Sequence, residues 1–224
     1  MASSVSETPF HDPTTCQVRR ASRDDEALVA RVLTRAFSGD PIEGWCLACD
    51  DLTGVMELEL LQVTRQLVAN GSLWVTGDIS GVAAWLPPGV SYDEEAIDAI
   101  VNPVLAEHGG QPERNVRFWE WVDGHRPAAP HWYLDLVAVD PDRCGSGLGR
   151  LLLANGLARV DARGEPVFLV TGNPDTVLWY ERHGFVTQSK GRAPEAGPLV
   201  WFMYRPPSQR SARGSPVSSC LDIA

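Results

Sequence analysis

A glycine-rich turn is the first feature of the sequence that could do chemistry. Residues 140–150 read D-P-D-R-C-G-S-G-L-G-R and lead into three leucines. Small residues expose successive backbone N–H groups, and a helix starting there adds its positive end, so the turn could hold a pyrophosphate without a cationic side chain. No Gly-Lys-Ser/Thr follows, and Gly145, Gly147 and Gly149 stand two apart, which excludes the Walker and dinucleotide-binding loops. The loop alone fits an anion cradle or an ordinary turn.

A carboxylate interrupts an apolar run just before this turn. Residues 131–139, H-W-Y-L-D-L-V-A-V, read as a buried strand that contains Asp135. An unpaired carboxylate there would be costly, so Asp135 is either paired with a neighbour or functional, and the sequence leaves both open. Strand alternation predicts that Tyr133, Asp135 and Val137 share one face.

The elements that must position these residues follow from hydrophobic periodicity and turn signals. The early part of the chain favours helices and a hairpin, and the later part a β-α-β unit, which together predict an α+β sheet with helices on both faces. The predicted strands cover residues 17–21, 73–76, 82–86, 131–139, 166–171 and 199–204. The first predicted helix follows a cap at residues 22–25, and its apolar stripe runs from Ala27 to Phe37. The other predicted helices cover 52–69, an interrupted 93–121, the segment from the glycine turn to about 162, and 176–183.

The composition is that of a soluble globular chain. With 224 residues, 44% hydrophobic and 21% charged, one domain is expected over residues 17–206, between disordered tails at 1–16 and 207–224. The net charge of −10 disfavours nonspecific binding to nucleic acid or anionic membrane. The N-terminus lacks a signal-peptide pattern, and no apolar run is long enough to span a membrane, so a cytoplasmic protein is predicted.

The cysteines do not indicate a metal or redox site. Cys46 and Cys49 form the one C-x-x-C, without the second pair of a zinc ribbon or the preceding strand of a thioredoxin-like site. We therefore expect two half-buried helical thiols and no metal.

Two separated motifs resemble a known family. The stretch V-A-V-D-P-D-R-C-G-S-G-L-G-R-L-L is similar to motif A of the Gcn5-related N-acetyltransferases (GNAT), and L-W-Y-E-R-H-G-F at 178–185 is similar to their closing motif. His125-Arg126-Pro127, L-W-V and V-A-A-W-L-P-P-G extend the likeness to the puromycin N-acetyltransferase group. The resemblance covers roughly residues 17–206 and implies the GNAT fold, a mostly antiparallel twisted sheet of six to seven strands.

The family resemblance implies roles for individual residues. Tyr180 stands where the family has a tyrosine that protonates the coenzyme A sulfur, and Asp135 lies where an acidic residue often faces the acetyl group and could serve as general base. The expected contacts to acetyl-CoA come from Val137, Ala138, Val139, Cys144, Gly145, Ser146, Gly147, Leu148, Gly149, Arg150 and Thr176. Cys144 and Thr176 depart from the usual family residues.

The acceptor side is implied in the same way. Asp40, Glu43 and Trp45 fall where relatives build the acceptor wall, and Tyr133 shares the strand with Asp135. Asp and Glu in such a wall would suit a cationic amine. A solvated turn at 40–45 is the alternative, and His131 and Trp132 could line the same cleft or simply pack.

These observations predict an acetyl-CoA-dependent N-acetyltransferase for a primary amine of a small molecule, of the antibiotic or secondary-metabolite type. A protein lysine or N-terminal acetyltransferase and a non-catalytic acyl-CoA-binding regulatory module are the alternatives. A homodimer is an expectation from family analogy alone.

Overall fold

The computed structural model describes residues 17–208. The predicted tails, apart from residues 207 and 208, lie outside the described residues. Within residues 17–208, no helix is long and apolar enough to cross a membrane.

One seven-stranded sheet organises the chain, in the order β1-β2-β3-β4-β5-β7-β6. The strands are β1 (Val18–Arg20), β2 (Leu73–Thr76), β3 (Gly81–Leu86), β4 (Trp132–Val139), β5 (Val167–Thr171), β6 (Val186–Arg192) and β7 (Leu199–Arg205). Every pair is antiparallel except β4 with β5. The predicted fold class, a mostly antiparallel sheet of six to seven strands with helices on both faces, is confirmed.

Seven helices flank the sheet in the described part of the chain: α1 (Glu26–Phe37), α2 (Pro41–Cys46), α3 (Leu52–Ala69), α4 (Glu94–Glu107), α5 (Pro112–Asp123), α6 (Leu148–Arg163) and α7 (Pro174–Glu181). Helix α3 has the predicted bounds. Helix α4 runs through Pro103, so the predicted interruption there was wrong, whereas the one at Gly109-Gly110 separates α4 from α5.

Each face of the sheet has its own core. The first core lies under helices α1 to α5 and includes Leu33, Phe118 and Phe202. The second core lies under α6 and α7 and includes Trp85, Leu153 and Phe185. Because α6 covers β2, β3 and β4, the glycine turn before it is fixed against the middle of the sheet.

A bulge in β4 corrects the predicted alternation. Consecutive residues of β3, Ala84 and Trp85, oppose Leu136 and Leu134, so Asp135 is an extra residue in the ladder. A bulge of this kind shifts the alternation of side chains by one position. Val137 accordingly packs on the second core, whereas Tyr133 packs in the first, and the prediction that they share a face was wrong.

The structure differs from the predictions at three further places, and two of the differences have a clear physical reason. Strand β6 is an edge strand whose side chains are nearly all exposed, so it lacks an apolar pattern. Asp40-Pro41 ends α1 but also starts α2, because the Asp40 carboxylate accepts hydrogen bonds from Ile42 and Glu43 N–H groups and proline suits the first helical position. Cys46 is helical and buried, but Cys49 lies outside the helix.

Candidate functional site

The sheet opens between β4 and β5. These parallel strands pair only at Trp132 with Val167 and at Tyr133 with Phe168, although both continue beyond that point. Farther along, Val137, Ala138 and Val139 pair with β3 on one side only. The second edge of this part of β4 therefore offers backbone groups to an extended ligand, as an added strand would use them.

The glycine turn lies at the wide end of this opening. Gly145 and Gly147 have positive φ angles of 79° and 85°, which only glycine adopts at no steric cost. The chain from Gly145 to Arg150 has few internal bonds: Ser146 N–H reaches Arg143 O, and the first intrahelical donor is Leu151. The N–H groups of Gly145 and of residues 147–150 thus have no acceptor among residues 17–208, so they are available to an anion, and the cradle stays a prediction.

Ion pairs fix the turn from two sides. Arg35 of α1 lies 3.2 Å from Asp140 and 2.8 Å from Asp142. Arg143 lies 3.1 Å from Asp78 in the β2–β3 connection. Burial raises the pKa of Asp78, but hydrogen bonds from Ser80 and Thr76 and the charge of Arg143 lower it to about 2. The Asp78 carboxylate therefore stays ionised at neutral pH and keeps its ion pair with Arg143.

Cys144 is exposed and follows the turn Pro141–Arg143. Because the unpaired donors of the cradle are backbone groups, we expect Cys144→Gln to change the coenzyme A dissociation constant less than threefold in calorimetry. Arg150→Gln, in the first turn of α6, is the comparison that shows the effect of changing a charged side chain beside the same turn. A hundredfold change for Cys144→Gln, about 2.7 kcal/mol, would contradict a cradle made by the backbone.

Tyr180 lies on α7 beside the opening. Its ring packs on Trp179 and Phe185 at centroid distances of 4.9 and 5.5 Å. Burial, and then the charge of Asp40, raise its pKa, and no hydrogen bond to another described residue opposes this rise. Asp40 reaches this point because α2 packs over the end of β5, where a side chain at Gly172 would meet Ile42 at 2.8 Å. The hydroxyl is therefore neutral and free to donate.

Thr176 is already engaged within the protein. Its hydroxyl lies 2.8 Å from the Thr171 hydroxyl and 2.9 Å from the Asn173 carbonyl oxygen, to which it donates. Asn173 caps α7 by accepting from Asp175 N–H. The structure thus gives Thr176 a role in joining β5 to α7, and the contact to a pantetheine arm stays a prediction.

Four carboxyl groups form what we call the acidic cleft: Asp40, Glu43, Glu59 and Asp135. Glu43 is surrounded by protein atoms, and burial together with the charges of Glu59, Asp40 and Asp135 raises its pKa well above the ordinary value. Its side chain is still reached by solvent. Burial raises the pKa of Glu59 to about 7, although a 3.1 Å hydrogen bond from Asn115 lowers it. The acidic cleft therefore favours a cation.

Asp135 is paired with a neighbour, which is one of the two alternatives that the sequence left open. The Tyr92 hydroxyl donates to its carboxylate, and the charge of Arg126 also acts on it. Burial is the larger effect and raises the pKa of Asp135, so the group is a stronger proton acceptor than an exposed aspartate. Its location in the bulge directs it to the same face as Tyr133, toward the acidic cleft.

Sequence reasoning missed Glu59, Tyr92 and Arg126. A signal for Glu59 was present: it lies four residues after Val55 and three after Met56, which are both buried, so all three share a helical face. Tyr92 and Arg126 come from connections before α4 and after α5, and only tertiary packing brings them to Asp135.

The remaining predicted wall residues take packing positions. Trp45 packs on Phe118 of α5, with the Arg114 guanidinium 5.4 Å from its ring centroid. Tyr133 is buried beside Phe168, with Arg126 4.1 Å from its ring centroid. Their contact with an acceptor stays a prediction. Within residues 17–208, no group of three or more His, Cys, Asp or Glu side chains is arranged to hold a metal ion.

Comparisons with known proteins agree with this geometry. The profile of the acetyltransferase (GNAT) domain matches residues 101–187, from within α4 to the start of β6. A mycothiol acetyltransferase from Cellulomonas flavigena is 41% identical over 91 residues, which are 39% of this chain and 23% of that protein. The match thus spans about a quarter of the curated relative.

Solved structures match over most of the chain. A structure described as histone acetyltransferase HPA2 and related acetyltransferase from Corynebacterium glutamicum is 27% identical, with a TM-score of 0.66, and the match covers 88% of this chain and 98% of that one. A polyamine N-acetyltransferase of Drosophila melanogaster shares the fold at 14% identity and a TM-score of 0.57, over 85% and 99% of the two chains. The narrower likeness to puromycin N-acetyltransferases stays a prediction. The sequence motifs, the split sheet and these matches agree that residues 101–187 are similar to the acetyltransferase (GNAT) domain and that the described chain has the GNAT fold.

Proposed function

We propose that this protein is an acetyl-CoA-dependent N-acetyltransferase that acts on a primary amine of a small molecule. The observation that carries the proposal is the opening between β4 and β5, which has a cradle of free N–H groups at its wide end and joins Tyr180 to the acidic cleft. One part suits an anionic donor and the other a cationic acceptor, so a single opening can bring the two together.

The chain's own groups fit acetyl-CoA, which would supply a thioester as the acyl donor. The free N–H groups of residues 145–150 would hold its pyrophosphate, with the positive end of α6 adding to the attraction. The edge of Val137, Ala138 and Val139 that faces away from β3 would bind the amides of the pantetheine arm. No cationic side chain is needed for either contact.

The acidic cleft would bind the amine in its protonated form and then deprotonate it. An ammonium ion must lose a proton before its nitrogen can attack the thioester carbon. Asp135 on β4 is our candidate for the proton acceptor, because burial raises its pKa and makes it a stronger base than an exposed aspartate. In the transfer, the nitrogen–carbon bond forms as the carbon–sulfur bond breaks, and the amine proton passes to Asp135 or to solvent.

Tyr180 would stabilise the departing sulfur. Because burial raises the pKa of its hydroxyl above that of an ordinary tyrosine, and a thiol has a pKa near 8.5, complete proton transfer from Tyr180 to the thiolate is uphill. A hydrogen bond from the neutral hydroxyl to the developing charge is favourable at neutral pH. We therefore assign Tyr180 a hydrogen-bond donor role, with final protonation by solvent.

An amine panel tests the proposal. Purified protein is mixed with acetyl-CoA and, separately, with aliphatic diamines, arylalkylamines, aminoglycosides, puromycin and lysine-containing peptides, and free thiol release is followed. We expect turnover with at least one of the cationic small amines. Turnover with peptides alone would favour a protein acetyltransferase, and tight coenzyme A binding without turnover on any amine would favour a non-catalytic module. A role in antibiotic modification requires turnover with puromycin or with an aminoglycoside.

A further inference from the structure

A second pocket lies on the opposite face of the sheet from the acidic cleft. It has a volume of about 280 Å³, close to the lower end, roughly 300 Å³, of pockets that bind small molecules. It opens between the C-terminal half of α6 and the ends of four strands and connections. We call it the basic pocket, and its lining side chains include Arg20, Arg159, Arg163, Trp74, Trp85, Trp132, Pro87, Pro88 and Glu165.

The charges of the basic pocket are unbalanced. Three guanidinium groups face one carboxylate, Glu165, and that carboxylate accepts a 2.5 Å hydrogen bond from Trp132 Nε1. No carboxylate among residues 17–208 lies within 4.0 Å of Arg20, Arg159 or Arg163, whereas ion pairs hold Arg19, Arg35 and Arg205 elsewhere in the same structure. The pocket thus carries a positive surplus in a protein whose net charge is −10.

Arg159 is the most constrained of the three arginines. Its Cζ atom lies 3.3 Å from the centroid of Trp74. Burial, and then the charges of Arg20 and Arg163, lower its pKa to about 10. Like charges are therefore held together without a counter-ion, which is a state that a bound anion would stabilise.

Two hydrogen-bond donors of the pocket residues lack partners. Trp85 is 2% exposed, and neither its Nε1 nor the Nη2 of Arg159 has an acceptor in the described part of the chain. Such orphaned donors are rare in folded proteins and ask for an explanation, such as a missing ligand. Trp85 is also fixed in place: a side chain at Gly156 of α6 would overlap its indole ring.

Flat apolar walls accompany the free donors. Trp74, Trp85 and Trp132 come from three adjacent strands, and Pro87-Pro88 follows β3. The Arg163 guanidinium lies 5.1 Å from the centroid of Trp132. Tryptophan faces and planar guanidinium groups both stack on flat rings, and a guanidinium also binds a carboxylate with two parallel hydrogen bonds.

The basic pocket is separate from the opening in the sheet. Arg159 is eleven residues along α6 from Leu148, which is roughly 16 Å at 1.5 Å per residue. Trp132 begins β4, whereas the glycine cradle follows its end. A ligand in this pocket would therefore leave the cradle accessible.

We propose that the basic pocket binds a small aromatic carboxylate, with its carboxylate group on the guanidinium of Arg159 and its ring against the tryptophan walls. The site is distinct from the proposed acetyl-transfer site and does not depend on it. Negative charge, a flat body and a size within about 280 Å³ are the three properties that the lining selects.

Sodium benzoate tests this directly by titration into ¹⁵N-labelled protein at constant ionic strength, following the indole N–H resonances. We expect saturable shifts for Trp74, Trp85 and Trp132, and the same dissociation constant when coenzyme A is present. Cyclohexanecarboxylate, which is charged but not flat, benzyl alcohol, which is flat but neutral, and inorganic phosphate should each bind at least fivefold more weakly.

Variants separate the pocket from general anion attraction. Arg159→Gln should weaken benzoate binding at least tenfold, and Arg159→Lys, which keeps the charge but loses the planar fork, should weaken it less. Arg31→Gln, which removes an exposed arginine of α1, should leave the constant unchanged. Absence of saturable shifts, equal binding by wild type and both Arg159 variants, or phosphate binding as tight as benzoate would overturn the proposal.

Discussion

Replacement of Tyr180 by phenylalanine is expected to lower kcat for acetyl transfer by about 10² to 10³, with little change in KM for the amine. Removal of one donor that stabilises developing negative charge has effects of this size. Loss of an interaction made only in the transition state lowers kcat and kcat/KM together. Steady-state kinetics with the best amine of the panel measures both constants.

The Tyr180→Phe result separates catalysis from packing. The hydroxyl makes no hydrogen bond to another residue of the range 17–208, so the variant should keep the ring contacts with Trp179 and Phe185 and nearly the same free energy of unfolding. Tyr204→Phe, on β7, is the matched control and should be fully active. A Tyr180→Phe enzyme within threefold of wild type would remove Tyr180 from the mechanism.

Replacement of Glu59 by glutamine is expected to stabilise the fold and to weaken cation binding. The folded-state pKa of Glu59, about 7, lies above the ordinary 4.5, so its contribution to stability is fully present below pH 4.5 and is lost as pH rises through 7. The glutamine stays neutral and can still accept from Asn115. At pH 8 the variant should therefore be more stable by on the order of 1 to 3 kcal/mol, and at pH 4 the two proteins should be equal.

The weaker cation binding expected for Glu59→Gln is measured with a quaternary ammonium analogue of the accepted amine, because the charge of this analogue does not titrate. Its inhibition constant for the wild type should fall as pH rises from 6 to 8, because the acidic cleft gains negative charge. Glu59→Gln should raise the constant about tenfold at pH 8, near 1.4 kcal/mol, and should flatten the pH dependence. Glu57→Gln, an exposed neighbour on α3, is the control. An unchanged constant in Glu59→Gln would contradict a cation-binding role for the acidic cleft.

The parts of the site that were predictable from the sequence are local ones. The glycine turn and Tyr180 each belong to a short segment in which the residues that matter are near one another in the chain, so their spacing carries the signal. The fold class followed for the same reason, since α3 and the β2–β3 hairpin have regular periodicity. Asp40 and Glu43 were predicted from the resemblance to the family. That they lie near Glu59 could not be predicted in this way.

The parts that could not be predicted depend on packing between distant segments. Tyr92 meets Asp135 across 43 positions of sequence, and the basic pocket joins residues from β1, β2, β3, β4 and α6. The bulge at Asp135 is also invisible in the sequence, because an apolar strand buried on both faces has no alternation to interrupt. Such features require the register of the sheet.

The bulge has a consequence for how β4 can vary. The strand consists of two halves in opposite phase, joined at one residue: Tyr133 and Leu136 both face the first core, and Leu134 and Val137 both face the second. Replacement of Asp135 alters one carboxyl group and leaves both halves in phase with their cores. Deletion of Asp135 would place Leu134 next to Leu136, which already face opposite cores, so the strand would become regular and both halves would keep their faces. The bulge is therefore not required to keep both cores in phase, and what it adds to β4 is the Asp135 carboxyl group on the side of the first core, where Tyr92 meets it.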